Sequence, residues 1–473
     1  MSDTKVGSSR LGRLTRLGWL GGRALPTAWK QLKGVVDAPE GGRGRAAERF
    51  AKKHADLADK AFRTLGDMKG VALKVGQMIS YMDGVVPPEL SGLYQDVLSR
   101  LQHAAPALRW SAIRPVLEAE IGPVERTFAS FEEAPFAAAS IGQVHRAVLR
   151  DGAAVAVKIQ YPGVDRAMRS DLKNAELFQT MATPFMSVIG AGKATRKYMR
   201  EVMAEVQARL LEELDYEREA AMQERFRALL AGDAEVRVPR VFTASSSRKV
   251  LVSELIVGRS LQDVADADDQ AARDRYGRIL TRTLLHCLHV LGLFNADPHP
   301  GNYLFPGDGS VCLLDFGCVK EIPGWMRDDM ERNLRLALAA TRSGADADWT
   351  AFDRQLGRAL RLDALDPQLF RIYREFYLYV LRPALTEGPF DFTSAYTRES
   401  FDRVFEAVRD QVFGKGVMPR VPEVPPIPPD YTFLNRVQWG FYSILAILRA
   451  QVDWHALLPA TLRDGLPEAA PAR

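Results

Sequence analysis

Phe294-Asn295-Ala296-Asp297-Pro298-His299-Pro300-Gly301-Asn302 is followed, thirteen residues after Asn302, by Asp315-Phe316-Gly317. The second group closes a short apolar run, Val311-Cys312-Leu313-Leu314, that reads as a strand entering a turn. Phosphoryl transfer needs these residue types. Charge develops on phosphate oxygens as the group moves, so a divalent cation must be held by hard oxygen ligands. Asp315 and Asn302 supply such oxygens. Asp297 can orient a nucleophile or accept its proton. Asp-Phe-Gly alone is frequent by chance; the three groups in this order and spacing are specific.

Working outward, the same layout is that of a kinase catalytic loop and metal loop. A kinase also needs a lysine on a strand to meet the α and β phosphates, and Val155-Ala156-Val157-Lys158 provides one. Ala139 to Leu149 can pair with Ala153 to Gln160 across Arg150-Asp151-Gly152, whose Asp-Gly is a hairpin signal. Further strands are expected at Val236–Thr243 and Lys249–Leu255. Helices are expected at Glu48–Ser80, Pro88–Leu101, Trp110–Ile121 and over much of Asp165–Leu230. After Gly258 the chain reads mainly as helix to Gly414, with a last helix over Phe433–Val452. The partner of Lys158 should lie on the helix near residue 215. Glu212, Glu213, Glu217 and Glu219 are all candidates, and helical periodicity does not choose among them. Upstream, where a protein kinase has a glycine-rich loop, the chain has Ala137-Ala138-Ala139-Ser140-Ile141-Gly142-Gln143-Val144. Alanine Cβ atoms restrict a backbone that glycines would free.

With these segments in hand, the sequence resembles the UbiB/AarF atypical kinase family of the protein-kinase-like superfamily. Lys74-Val75-Gly76-Gln77 looks like its Lys-x-Gly-Gln motif, Ala137–Val144 like its nucleotide loop, and Glu213-Leu214-Asp215 like its Glu-x-Asp motif. The resemblance is strong from Leu65 to Lys320 and looser to Trp454. It implies an α+β, bilobal protein-kinase-like fold, with a small antiparallel-sheet N-lobe and a helical C-lobe. An N-terminal helical extension would lie across the active cleft. It implies ATP and Mg2+ as cofactors, with Asn302 and Asp315 on the metal and Asp297 as the catalytic carboxylate. Lys74 and Gln77 would face the cleft, and Lys74 would pair with Glu213 and Asp215. The family pattern puts the Lys158 partner six residues beyond Glu213, at Glu219. Ala137 to Val144 and the interlobe hinge, with Glu254 and Ile256, would contact the nucleotide. Many members have His where this chain has Asn295, a position that supports the loop. The implied role is kinase or ATPase chemistry serving ubiquinone, other isoprenoid-quinone or lipid metabolism, with a lipid or quinone precursor as a further ligand. The alternative is a nucleotide-binding regulatory scaffold without turnover. An aminoglycoside-type phosphotransferase fits the catalytic loop but not the Lys74 motif or the alanine loop.

Composition is compatible with this. The chain has 473 residues, 47% hydrophobic and 26% charged, with Lys+Arg 63 against Asp+Glu 59 and a net charge of +4. That balance excludes wholesale disorder and does not suit a nucleic-acid binder. Three cysteines cannot build a disulfide framework, which points to a reducing compartment. The mild total conceals a basic arm: residues 1–45 carry nine Lys/Arg and three Asp/Glu, leaving −2 for the remainder. Leucines at spacing three among its arginines suit an anionic membrane surface. No run reaches the roughly 20 apolar residues of a spanning helix. A cytoplasmic protein with peripheral contact at the inner membrane face is expected. The expected divisions are the arm at 1–45, a helical extension at 46–125, the N-lobe at 126–257 and the C-lobe at 258–415. A Pro-rich connector with the last helix follows at 416–465, then a tail at 466–473. His286 and His289 read as core histidines, and Cys318 as a buried thiol.

Overall fold

A computed structural model describes residues 107–139, 141–170, 172, 204, 207–208, 210–363, 365–397, 399 and 427–463. Expectations for the basic arm, the first two helices, Lys74, Gln77, Ser140, most of 165–215, the end of the C-lobe at 400–415, the Pro-rich connector from 416 to 426 and the tail lie outside these residues. Among the described residues, an antiparallel sheet comes first and a mostly helical part follows.

Helix α1 (Trp110–Ile121) buries Ile113 and Leu117 completely. Strands β1 (Phe128–Phe131), β2 (Ala137–Ala139), β3 (Gly142–Leu149) and β4 (Ala154–Gln160) follow. β1 and β2 share one edge of β3, and β4 takes the other. The β3–β4 hairpin turns at Gly152, with φ +90, the left-handed backbone that its Asp-Gly favours. Along β4, Val155, Val157 and Ile159 are wholly buried, while Lys158 points to the opposite face. The two-residue period of a strand thus packs the valines under α1 and turns the lysine toward the helical part.

Helix α2 (Tyr216–Leu229) starts at an Asp215 N-cap, whose Oδ1 accepts from the Arg218 amide at 3.1 Å. Its buried stripe is Tyr216, Glu219, Ala220, Gln223 and Phe226. The expected strand over Val236–Thr243 is not continuous. Only β5 (Val236–Arg237) is extended in a ladder, and Val241 makes one bridge to Ser253. Pro239 between them has no amide to donate, and its carbonyl is taken by Gln223 Nε2 at 2.8 Å. β6 (Val250–Glu254) completes the sheet beside β4.

Beyond the connector 255–260 come α3 (Leu261–Ala267) and α4 (Gln270–Leu285). α4 continues as a π-helical turn, His286–Leu291, and stops at Gly292, with φ +63. The mainly helical reading after Gly258 is corrected here: β7 (Leu293–Asn295) follows the glycine. β8 (Tyr303–Leu304) and β9 (Val311–Leu313) pair with each other, β9 also pairs with β5, and β10 (Val319–Glu321) pairs with β7. The stretch after Gly258 is thus less purely helical than its composition suggests. Helices α5 (Gly324–Ser343), α6 (Asp346–Leu360) and α7 (Pro367–Leu385) close the core. β11 (Phe390–Asp391) precedes α8 (Pro429–Leu448), which begins and ends four residues before the expected Phe433–Val452. Gln451–Val452 instead forms β12, against β11. Val437, Tyr442, Leu445 and Leu448 of α8 are buried in the helical core, and the Tyr442 hydroxyl donates to the Val380 carbonyl at 2.8 Å.

Candidate active site

The β4 alternation delivers Lys158, and the α2 stripe delivers Glu219, to the same cleft. Lys158 Nζ donates to Glu219 Oε1 at 2.8 Å and to Oε2 at 3.0 Å, and lies 3.6 Å from Asp315 Oδ2. Burial alone would depress the Lys158 ammonium; the Asp315 and Glu219 carboxylates outweigh it and hold it above the ordinary lysine range. Burial pushes the Glu219 carboxyl up to about 7, against the pull of Lys158. Of the four glutamates that periodicity left open, Glu219 makes this contact. Glu213 lines the same cleft, with Asp297 and Asp315.

The two loops across the cleft are tied by Asn295. Its Nδ2 donates to the Asp315 carbonyl at 2.6 Å, and its Oδ1 accepts from the Asp297 amide at 2.9 Å. Asn302 Nδ2 donates to the Asp297 carbonyl at 2.8 Å, so its Oδ1 is the end suited to a cation. The Asn302 carbonyl accepts from the Leu314 amide at 3.0 Å, one residue before Asp315. Asp315 Oδ1 accepts from the Gly317 amide at 2.9 Å. Arg218 of α2 donates to the carbonyls of Gly317 and Val319, at 3.3 and 3.4 Å, and so holds the chain that leaves the loop.

The donor set fits Mg2+. It offers two carboxylates, Asp297 and Asp315, and one amide oxygen, and Mg2+ keeps several waters when bound by so few protein groups. Among the described residues there is no group of three or more His, Cys, Asp or Glu that could hold a metal ion. His286 and His289 lie in the π-helical turn, and Cys318 is a buried thiol, in no disulfide, at the cleft wall.

The alanine segment needs correction. Ala137–Val144 is not an open loop but a tight hairpin, Ala137 opposite Val144, Ala138 opposite Gln143 and Ala139 opposite Gly142. Ile141 lines the cleft. Gly142 admits no side chain, because a Cβ there would overlap the Ile159 carbonyl. Val144 sits opposite Lys158 on the face turned to the cleft. Gln143 faces the other way. It is wholly buried, accepts from the Leu108 amide at 2.9 Å, donates to the Leu108 carbonyl at 3.2 Å and meets His145 Nε2 at 2.9 Å. Its side chain anchors the chain entering α1, on the face of the sheet opposite Lys158. Glu254 and Ile256 sit at the end of β6 and in the connector, outside the wall around Lys158, and Glu254 Oε2 accepts from the Arg240 amide at 3.3 Å. Asp215 is the α2 N-cap, with Arg248 Nη2 at 4.0 Å. Sequence reasoning missed Tyr216, whose only signal is its place directly after Glu213-Leu214-Asp215, and Arg218, for which there was no signal.

The ABC1 atypical kinase-like domain matches residues 100–345. The chain is 34% identical over 338 residues to the mitochondrial atypical kinase COQ8B of Danio rerio, covering 69% of this chain and 51% of that protein. It is 30% identical to the mitochondrial atypical kinase COQ8 of Saccharomyces cerevisiae, over 68% of this chain and 61% of that one. The chain thus spans about half the length of the curated relatives it matches. The Mycobacterium tuberculosis protein Rv3197, solved with erythromycin, superposes with a TM-score of 0.58 at 29% identity, over 88% of this chain and 97% of that one.

Proposed function

Since the chain belongs to the ABC1 atypical kinase-like family, we propose that it is a Mg2+-dependent atypical kinase or ATPase that binds ATP between its sheet and its helical part. The observation that carries this is the meeting of Lys158, Glu219, Asp297 and Asp315 in one cleft, with Asn302 bonded to the Asp297 carbonyl. Bound Mg2+ would neutralise charge developing on the phosphates, held by Asp315 and Asn302. Glu219 orients the Lys158 ammonium toward the phosphates. Asp297 orients the acceptor hydroxyl or water and takes its proton. Asn295 fixes the distance between the two loops.

Lys74 and Gln77, outside the described residues, belong to the same proposal: they would face the cleft, with Lys74 paired to Glu213 and Asp215, while α1 of the same 46–125 extension packs on the opposite face of the sheet, against the β4 valines. Service to isoprenoid-quinone or lipid metabolism rests on the kinship with the COQ8 kinases. A cytoplasmic location with peripheral membrane contact rests on the charge of residues 1–45. Among the described residues no helix is long and apolar enough to cross a membrane.

The test is ATP hydrolysis with and without Mg2+, with Asp315→Asn as the control. Hydrolysis that requires Mg2+ and is abolished in Asp315→Asn supports the reading. An Asp315→Asn chain as fast as the wild type removes it. Nucleotide-dependent thermal stabilisation without phosphate release, with membranes supplied, favours the regulatory scaffold instead.

A further inference from the structure

Tyr216 opens α2 and is 1% exposed, yet its hydroxyl has no hydrogen-bond partner among the described residues. Buried polar atoms are nearly always bonded, and one left alone keeps its desolvation cost. Other buried groups share this state, including Thr281 Oγ1 and Asn333 Oδ1, but among them and the described residues Tyr216 alone also lines the cleft. Lys158 Nζ stands over its ring, 5.0 Å from ammonium to centroid, which is cation–π distance.

That position complements a limit on Lys158. The ammonium has three donors, and two are directed at the Glu219 carboxylate. A phosphoryl oxygen seated against Lys158 therefore meets few remaining N–H groups there. The surrounding side chains Glu213, Glu219, Asp297 and Asp315 are carboxylates, which accept and do not donate when ionised. The phenol is protonated at neutral pH and can donate.

We propose that the Tyr216 hydroxyl is a binding group for the anionic oxygens of a nucleotide polyphosphate, acting as a second donor beside Lys158. This deepens the nucleotide reading and rests on it. The ring keeps the ammonium in place, and the hydroxyl completes the contact with the phosphate.

Tyr216→Phe removes only the oxygen and keeps the ring. Binding of ATP, ADP and adenosine is measured by calorimetry on the full chain with Mg2+, beside its melting temperature without nucleotide. The variant should bind ATP and ADP about tenfold more weakly, as expected for one hydrogen bond to a charged group. Adenosine binding should be unchanged, and the variant should melt at or above the wild type, because an unpartnered buried hydroxyl has been removed. Equal ATP and ADP affinities in the two chains overturn the assignment and leave the nucleotide reading standing. So does equal weakening for adenosine, or a variant that melts several degrees lower, since either gives the hydroxyl a structural partner. A wild-type chain that binds neither ATP nor ADP overturns the nucleotide reading, and this assignment with it.

Discussion

Asn295 donates to the carbonyl of Asp315 at 2.6 Å and, with the other end of the same amide, accepts from the amide of Asp297 at 2.9 Å. One uncharged side chain thereby sets the spacing of the two carboxylates that face the cleft. Asn295→Ala removes both bonds, and ATP turnover should fall about 10- to 100-fold with nucleotide affinity little changed, because the loss is in alignment. Asn295→His provides the sharper test. A neutral imidazole has one donor and one acceptor and can replace the amide, but an imidazolium has two donors and confronts the Asp297 N–H. The His variant should turn over at neutral pH and lose activity below about pH 6.5 in a one-proton step that the wild type lacks. A pH–rate profile of both chains checks it; superimposable acid limbs would remove Asn295 from the coupling.

Gly440 of α8 packs against Pro298, the residue after Asp297, so closely that a Cβ would overlap the proline ring. The C-terminal helix therefore supports the catalytic loop from 142 residues away in the chain. Gly440→Ala must push Pro298 aside, at a cost of about 1–3 kcal/mol for overpacking. Denaturant unfolding should register that loss, and turnover should drop more than nucleotide affinity. A variant with wild-type stability and turnover would mean that the contact relaxes freely.

How much of this was legible depends on where each constraint resides. The meeting of Asp297 and Asp315 in one cleft, with Asn302 bonded to the Asp297 carbonyl, was legible because the chemistry the motifs suggest dictates both residue type and local spacing. The direction of Lys158 followed from alternation with Val155, Val157 and Ile159. Helix α1 was legible to the residue from its apolar spacing and its Gly-Pro stop. Helical periodicity did not separate Glu219 from its neighbours, because the rotation of α2 against β4 is set by packing across 61 residues; only the family pattern pointed to it. Gln143 was misread because a buried amide satisfied by Leu108 looks, in sequence, like a polar loop residue. The strand Leu293–Asn295 was hidden in an apolar run whose helix ends only because Gly292 turns left-handed. The Gly440 contact has no sequence signal, since nothing local to α8 mentions Pro298.

His289 lies in the π-helical turn with a buried Nδ1 that has no partner among the described residues, and burial lowers its pKa to about 4. The unfolded chain, near 6.5, takes a proton first as pH falls. Its contribution to stability is therefore complete above pH 6.5 and is lost progressively down to about pH 4. The loss is on the order of 3 kcal/mol from this group. His289→Gln should flatten that part of the stability–pH curve, measured by denaturant midpoints between pH 7 and 4. Parallel curves for the two chains would show that the ring titrates as it does in water.

Glu219 acts in the opposite sense, which lets the two groups be told apart. Burial raises its carboxyl to about 7, above the unfolded value near 4.5, so the folded chain takes up the proton first. This group therefore makes the fold more stable as pH falls from 7 toward 4.5, and the gain is absent above 7. Activity should move the other way. Protonated Glu219 no longer anchors the Lys158 ammonium by two charge-assisted bonds, and Lys158 is left nearer to Asp315 alone. ATP turnover should decline on the acid side with a midpoint near pH 7 while the Glu219 contribution to stability grows. Glu219→Gln keeps the shape and removes the titration. It should show turnover reduced about 10- to 100-fold at neutral pH and no acid limb near 7, with the stability gain on acidification gone. Turnover and unfolding measured on the same two chains from pH 5 to 8 decide it. A Gln variant that keeps the wild-type acid limb would assign that limb to another group, and one with wild-type turnover would remove the Lys158–Glu219 pair from the chemistry.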